Sequence, residues 1–214
     1  MKKAIVIGST GMVGTQLIKL LIENEEYPEI VSLVRRSGGV KHPKLNEQII
    51  NFDNPEEWRK LVTGDVLFST LGTTIAQAKT KENQFKIDYT YQFTVAEVAA
   101  KNVVSSYVLV SSAGASSNSS VFYSKMKGEL EDAVQKLPFD VISILRPGQL
   151  DGNRIEKRAG EKIGLAVMCF LNKAGLFKRY RPIQAVQVAQ AMINAAGKTT
   201  SSSYTMEEVH KLAL

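Results

Sequence analysis

The chain has 214 residues, 44% of them hydrophobic and 22% charged, with a formal net charge of +6. That length can bury one large core or at most two modest ones, and the composition is that of an ordinary globular protein. The single cysteine, Cys169, excludes a disulfide framework and a four-cysteine metal site; it indicates a reducing compartment, and the expected location is cytoplasmic.

His42 and His210 lie far apart and show no metal spacing. The basic residues are scattered, the largest clusters being Arg35-Arg36 and "FKRYR" at 177–181. A solvated basic surface with one phosphate site fits this better than a nucleic-acid interface. No window approaches the 18 apolar residues of a membrane span, and the apolar run in "MKKAIVIGSTG" is too short for a signal segment.

In chain order, "KAIVIG" (3–8) is a continuous, β-branched apolar run, the mark of a strand buried on both faces. "GMVGTQLIKLLIEN" (11–24) has helical spacing. Strands follow at 29–36 ("EIVSLVRR"), 47–53 ("EQIINFD") and 64–72 ("GDVLFSTLG"). Between the last two, "NPEEWRKLV" predicts a short helix with Asn54 as its N-cap and Pro55 in its first turn. A long helix is predicted over 81–102, a strand over 105–112, a helix over 124–137 and a strand over 139–148, stopped by Pro147-Gly148. Beyond a polar stretch at 151–162, helices are predicted at 163–177 and 183–196, then a short strand and a half-helix in 203–214. This alternation predicts an α/β fold, a Rossmann-type doubly wound parallel sheet in three α/β/α layers. Residues 1–214 read as a single domain, with a cofactor-binding core over 1–150 and a small substrate-side extension over 151–214.

The stretch Gly8-Ser9-Thr10-Gly11-Met12-Val13-Gly14 spaces three glycines at intervals of three, after a strand and at the opening of a helix. The first glycine permits the tight turn, the second lets backbone approach a pyrophosphate, and the third lets helix and strand pack closely. The helix N-terminus then offers free N–H groups to the phosphates. The second strand ends in Arg35 and Arg36, where a binder of NAD usually carries an acid, so the expected cofactor is NADP(H), its 2′-phosphate met by arginine. Asp53 follows the third strand and would lie near the adenine ring; capping the next helix is the other role open to it. Leu71, Gly72 and Thr73, after the fourth strand, would line the cofactor near the ribose and pyrophosphate.

"VFYSKMKGELE" (121–131) puts Tyr123 and Lys127 one helical turn apart, shortly after a strand ending in Ser111-Ser112. Hydride reduction of a carbonyl leaves an alkoxide that must take a proton. A phenol can supply it when a lysine ammonium stabilises the phenolate, and a serine hydroxyl can hold the carbonyl oxygen. Tyr123, Lys127 and one of the two serines, Ser112 or Ser111, are therefore the candidate catalytic residues. Lys127 is also placed to bind the nicotinamide ribose.

The glycine spacing resembles that of the extended and atypical short-chain dehydrogenase/reductases. "LGTT", "FKIDY", "SSAGAS", "FYSKMKGELE" and "FDVISILRPG", in this order, are similar to the Tat-interacting-protein-like NADP-binding oxidoreductases. The resemblance implies NADPH binding, a Ser112–Tyr123–Lys127 site, and contact of Pro147 and Gly148 with the nicotinamide amide. Asp88 takes the place where related enzymes often carry an asparagine that completes a proton relay. The implied activity is reduction of a small carbonyl substrate without a metal or a membrane. The alternative is an NADP(H)-binding regulatory or redox-sensing module read by a protein partner. Whether the chain pairs with a partner protein or as a homodimer is open.

Overall fold

In the computed structural model of the chain, the described residues are 1–151 and 182–214. The helix predicted at 163–177, with Cys169, Phe170 and Phe177, lies outside them. The first strand, β1 (Lys3–Ile7), is followed by α1 (Met12–Glu23), β2 (Glu29–Val34), β3 (Leu45–Ile49), the short α2 (Pro55–Trp58) and β4 (Val66–Ser69). Then come α3 (Ile75–Ala78), α4 (Lys81–Phe85), a π-helical turn over Lys86–Thr90, α5 (Tyr91–Lys101), β5 (Ser106–Val110), α6 (Phe122–Val134) and β6 (Val141–Leu145). The described chain ends with β7 (Leu150–Asp151), β8 (Ile183–Gln184), α7 (Ala185–Ala196), β9 (Ser202–Tyr204) and α8 (Met206–Leu212).

Seven strands form one sheet in the order β3-β2-β1-β4-β5-β6-β9, and every pairing is parallel. The reason is visible in the sequence. "AIVI", "VLFS" and "VISIL" carry apolar or small side chains at successive positions, so neither face can be left to water. Helices cover both faces. One core joins alternate strand residues such as Ala4, Val6 and Phe68 to Leu17 and Leu21 of α1 and Val188 and Met192 of α7. The other joins Ile5, Ile7, Leu67 and Leu109 to Val95 and Ala99 of α5 and Leu130 of α6. This is a Rossmann-type three-layer α/β/α fold, as the alternation predicted. Residues 185–212, expected on the substrate side, supply part of the first helical layer and the seventh strand.

Two local readings need correction. Asn54 stands at the N-terminus of α2 but its side chain caps no backbone amide; its Nδ2 donates instead to the Glu57 carboxylate at 2.6 Å. The predicted continuous helix over 81–102 is interrupted by the π-turn at Lys86–Thr90, where the ladder takes in an extra residue per turn.

The order of strands reverses beside β1: the chain moves outward to β2 and β3, then returns to β4 on the other side. The carboxyl ends of β1 and β4 therefore diverge into two connections that run in opposite directions. In open parallel sheets that is where a crevice forms.

Candidate active site

Gly8 follows β1 with φ of +80°, a conformation side-chain-bearing residues rarely adopt. A Cβ there would stand 2.4 Å from the Leu71 amide nitrogen, and one at Gly14 would stand 2.1 Å from the Gly8 carbonyl oxygen. Both glycines are closed by protein. Gly11 is different: its added Cβ would meet only the Gly8 oxygen, at 3.2 Å, and Gly11 lines a cleft. Gly11 also starts α1, which has no side-chain cap, so the first amides of the helix are left to whatever enters.

The cleft holds about 360 Å³, within the usual range for small-molecule sites. Gly8, Thr10, Gly11, Arg35, Arg36, Leu71, Gly72 and Thr73 line it. Phe52, Thr70 and Gln77 line it too, and the sequence reading had not singled them out. Ser9 is buried and its Oγ accepts from Ser32 Oγ at 2.7 Å, which fastens the turn to β2. The Val13 side chain belongs to the core, so only its backbone faces the turn. Arg35 and Arg36 are exposed at the end of β2.

Asp53 is not among the cleft residues. Its carboxylate pairs with Lys86 Nζ at 2.7 Å and accepts from the Tyr91 hydroxyl at 3.0 Å, and the Lys86 bond holds it below the usual carboxylate range. Its neighbour Phe52 faces the cleft and stacks on Tyr91 at 5.2 Å between ring centroids.

Tyr123 and Lys127 lie on the first two turns of α6. Tyr123 is 37% exposed, whereas Lys127 is 3% exposed. The Lys127 ammonium forms no hydrogen bond or ion pair with a described residue. Ser112 is half-buried, its Oγ donating weakly to the Ala113 carbonyl at 3.3 Å; Ser111 is buried with no partner for its hydroxyl. The Ala113 amide donates to the Pro147 carbonyl at 3.0 Å, which brings the Ser112 loop beside Pro147-Gly148.

The seating of α6 rests on two contacts. A Cβ at Gly128 would lie 2.2 Å from both the Ser116 carbonyl carbon and the Ser117 amide, so the loop before the helix crosses directly over that glycine. Gly128→Ala is expected to cost about 3 kcal/mol through overpacking, or roughly 6–12 °C in Tm. An unchanged Tm by calorimetry would contradict that packing. One turn after Lys127, the buried Glu131 carboxylate receives Arg146, whose Nε reaches its two oxygens at 3.1 and 3.0 Å and whose Nη2 also binds Oε2. This bidentate pair ties α6 to the end of β6. The spacing of Glu131 from Lys127 was a usable signal in the sequence; its partner was not.

Asp88, in the π-turn, is fully buried. Its Oδ1 accepts from the Thr73 amide at 2.7 Å, and its Oδ2 has no hydrogen-bond partner. Burial pushes the carboxyl up to about 6, against the opposing pull of the Lys127 charge and the Thr73 amide. Among the described residues no group of three or more His, Cys, Asp or Glu could hold a metal ion, and no helix is long and apolar enough to cross a membrane.

The sequence family described as HIM1 matches residues 22–181. Protein FMP52, mitochondrial, of Candida albicans is 35% identical over 199 residues, covering 90% of this chain and 87% of that protein. Its namesake in Meyerozyma guilliermondii is 37% identical over 199 residues, covering 91% and 85%. Among solved structures, Bordetella bronchiseptica WbmH in complex with NAD+ superposes with a TM-score of 0.70 at 17% identity, covering 100% of this chain and 79% of that one. Helicobacter pylori ADP-L-glycero-D-manno-heptose-6-epimerase superposes at 0.71 with 20% identity, covering 99% and 81%. At these identities the two structures speak for the fold alone. The names of the FMP52 relatives overturn the cytoplasmic expectation. A low cysteine count indicates a reducing environment but does not say which membrane encloses it.

Proposed function

We propose that this chain, which belongs to the HIM1 family together with the FMP52 proteins, is an NADPH-dependent oxidoreductase that reduces a small carbonyl compound. The observation that carries the reading is Lys127: a lysine 3% exposed that makes no hydrogen bond or ion pair with a described residue, one helical turn from the exposed Tyr123. Nearly buried ionisable groups concentrate at reactive sites. The resemblance to the Tat-interacting-protein-like group of atypical short-chain dehydrogenase/reductases supports it.

The cradle fits a dinucleotide. Gly8 and Gly14 are closed by protein, while Gly11 leaves the backbone open to the cleft. The turn Gly8–Gly14, including the amides of Ser9, Thr10, Met12 and Val13, would hold the pyrophosphate, with Leu71, Gly72 and Thr73 as the facing wall. Arg35 and Arg36 would meet the 2′-phosphate. At the adenine end, Asp53 would act by fixing its corner through Lys86 and Tyr91 rather than as a free acceptor. Lys127 would hold the nicotinamide ribose, and Pro147 its amide. NADPH supplies the hydride when bound. Tyr123 then gives its phenolic proton to the oxygen that becomes an alcohol, Ser112 Oγ steadies that oxygen by donating to it, and the Lys127 ammonium stabilises the phenolate left behind. Residues 1–214 would act as one domain.

Fluorescence titration of NADPH and NADH tests the cofactor assignment. NADPH is expected to bind tighter by about tenfold or more, the worth of one charge-assisted contact, and Arg35→Asp is expected to remove the preference. Equal affinities in the wild type would sink the NADP assignment. NADPH oxidation across a panel of carbonyl compounds tests the activity; no turnover with any, despite tight binding, would favour a cofactor-sensing module.

A further inference from the structure

We propose that Glu47 is a specificity-determining positioning residue: by holding the Gly38 amide it folds the loop after Arg35-Arg36 back against Thr10, and so keeps both arginines on the cleft wall to meet a phosphate carried on the adenosine ribose. The inference rests on the NADP(H) reading given above and deepens it.

The frame is closed from two strands. Ser32 of β2 donates through its Oγ to Ser9 Oγ at 2.7 Å, which fixes the glycine turn one residue before Thr10. Glu47 of β3 stands opposite Ser32 in the parallel ladder, and side chains at paired positions share one face of a sheet. From there Glu47 Oε2 accepts from the Gly38 amide at 2.9 Å. Gly38 in turn lies against Thr10: an added Cβ would stand 3.2 Å from Thr10 Cγ2 and 3.3 Å from Glu47 Oε2. Within the loop, Ser37 Oγ accepts from the Gly39 amide at 3.1 Å, and Gly39 takes a φ of +77°, which favours glycine. The segment that leaves Arg36 is therefore pinned to the turn on which Thr10 sits, and Thr10, Arg35 and Arg36 all line the cleft.

What the carboxylate binds matters as much as where it sits. A glutamate on the neighbouring strand is a natural partner for a guanidinium. Here Glu47 forms no ion pair with a described residue, and neither do Arg35 and Arg36, which stay exposed. The acid is engaged by a backbone amide, and both guanidiniums keep their donors for an incoming anion. NADH carries a hydroxyl where NADPH carries the 2′-phosphate, so a loop that presents arginine serves NADPH alone. A tether that only steadied β3 would serve both cofactors alike.

Fluorescence titration of the full chain with NADPH and with NADH tests this on the wild type, Glu47→Ala and Glu47→Gln. Glu47→Ala frees the Gly38 amide, and is expected to bind NADPH about three- to tenfold more weakly, the worth of one hydrogen bond, with NADH affinity unchanged. Glu47→Gln keeps an oxygen for Gly38 and removes a negative charge from the neighbourhood of the phosphate, so it is expected to bind NADPH at least as tightly as the wild type. An unchanged NADPH-to-NADH ratio in Glu47→Ala overturns the proposal, because the hydrogen bond would then be merely structural. Tighter NADPH binding by Glu47→Ala overturns it too, since Glu47 would then act only by repulsion. So does a Glu47→Gln protein as weak as Glu47→Ala. The NADP(H) reading itself fails if the wild type binds both cofactors equally, and the role of Glu47 falls with it. A wild type that prefers NADPH and loses the preference in Arg35→Asp, beside an unmoved Glu47→Ala, overturns the role of Glu47 alone.

Discussion

Tyr123→Phe is expected to lower carbonyl reduction by about 10²–10⁴-fold, the usual contribution of a positioned acid, with NADPH affinity unchanged. The ring remains and only the hydroxyl is lost, at a residue 37% exposed on the first turn of α6, so stability should hardly change. Lys127→Met should weaken NADPH binding as well as turnover, since the same ammonium would serve the ribose and the phenolate. The double variant should be little worse than Tyr123→Phe, because residues that act as one unit do not add. Single-turnover kinetics with the best compound from the panel would separate binding from chemistry. A Tyr123→Phe protein with undiminished turnover would leave Tyr123 an ordinary helix residue and favour the sensing module.

The glycine turn should divide into two kinds of variant. Gly14→Ala places a Cβ 2.1 Å from a backbone oxygen, and that oxygen belongs to a turn already held at positive φ. Neither side can yield cheaply, so the variant is expected to lose several degrees in Tm or fail to fold. At Gly11, φ and ψ of −79° and 175° suit any residue, and an added Cβ meets one atom at 3.2 Å. Gly11→Val should fold like the wild type and lose NADPH affinity by about a hundredfold or more, because the side chain fills the approach to the helix amides. Circular dichroism and a fluorescence titration on the same samples decide it. A folded Gly11→Val protein with normal affinity would remove the phosphate-cradle reading.

The layers of the fold were legible because a parallel sheet writes itself into sequence. Strands such as "AIVI" and "VISIL" carry no polar face, and helices with a single apolar stripe alternate with them. Strand ends were read less well: the strand predicted at 47–53 is Leu45–Ile49, starting earlier and ending sooner, since the exposed edge strand is pinned by pairing with β2 rather than by its own pattern. The π-turn carries no local mark; "KIDYT" looks helical. Of the site, Tyr123 and Lys127 could be placed by helical spacing, and the glycines by their position after a strand. The pairing of Asp53 with Lys86, the link from Asp88 to Thr73 and the clasp of Glu131 on Arg146 join residues 15 to 33 positions apart, and short-range patterns do not encode partners at that range.

The seventh strand and the helix packed on α1 come from the last thirty-odd residues. On a ribosome, the turn at Gly8–Gly14 emerges early, yet the face of α1 that carries Leu17 and Leu21 has no cover until Val188 and Met192 of α7 follow. Likewise β6 waits for Ser202–Tyr204 before its outer edge is paired. A nascent chain that has reached Gly148 therefore holds every residue proposed to touch the dinucleotide, but with the part of one face that α7 covers and the outer edge of β6 still open and prone to clump. Chaperone demand should accordingly centre on the interval in which the ribosome is still translating residues 149–204.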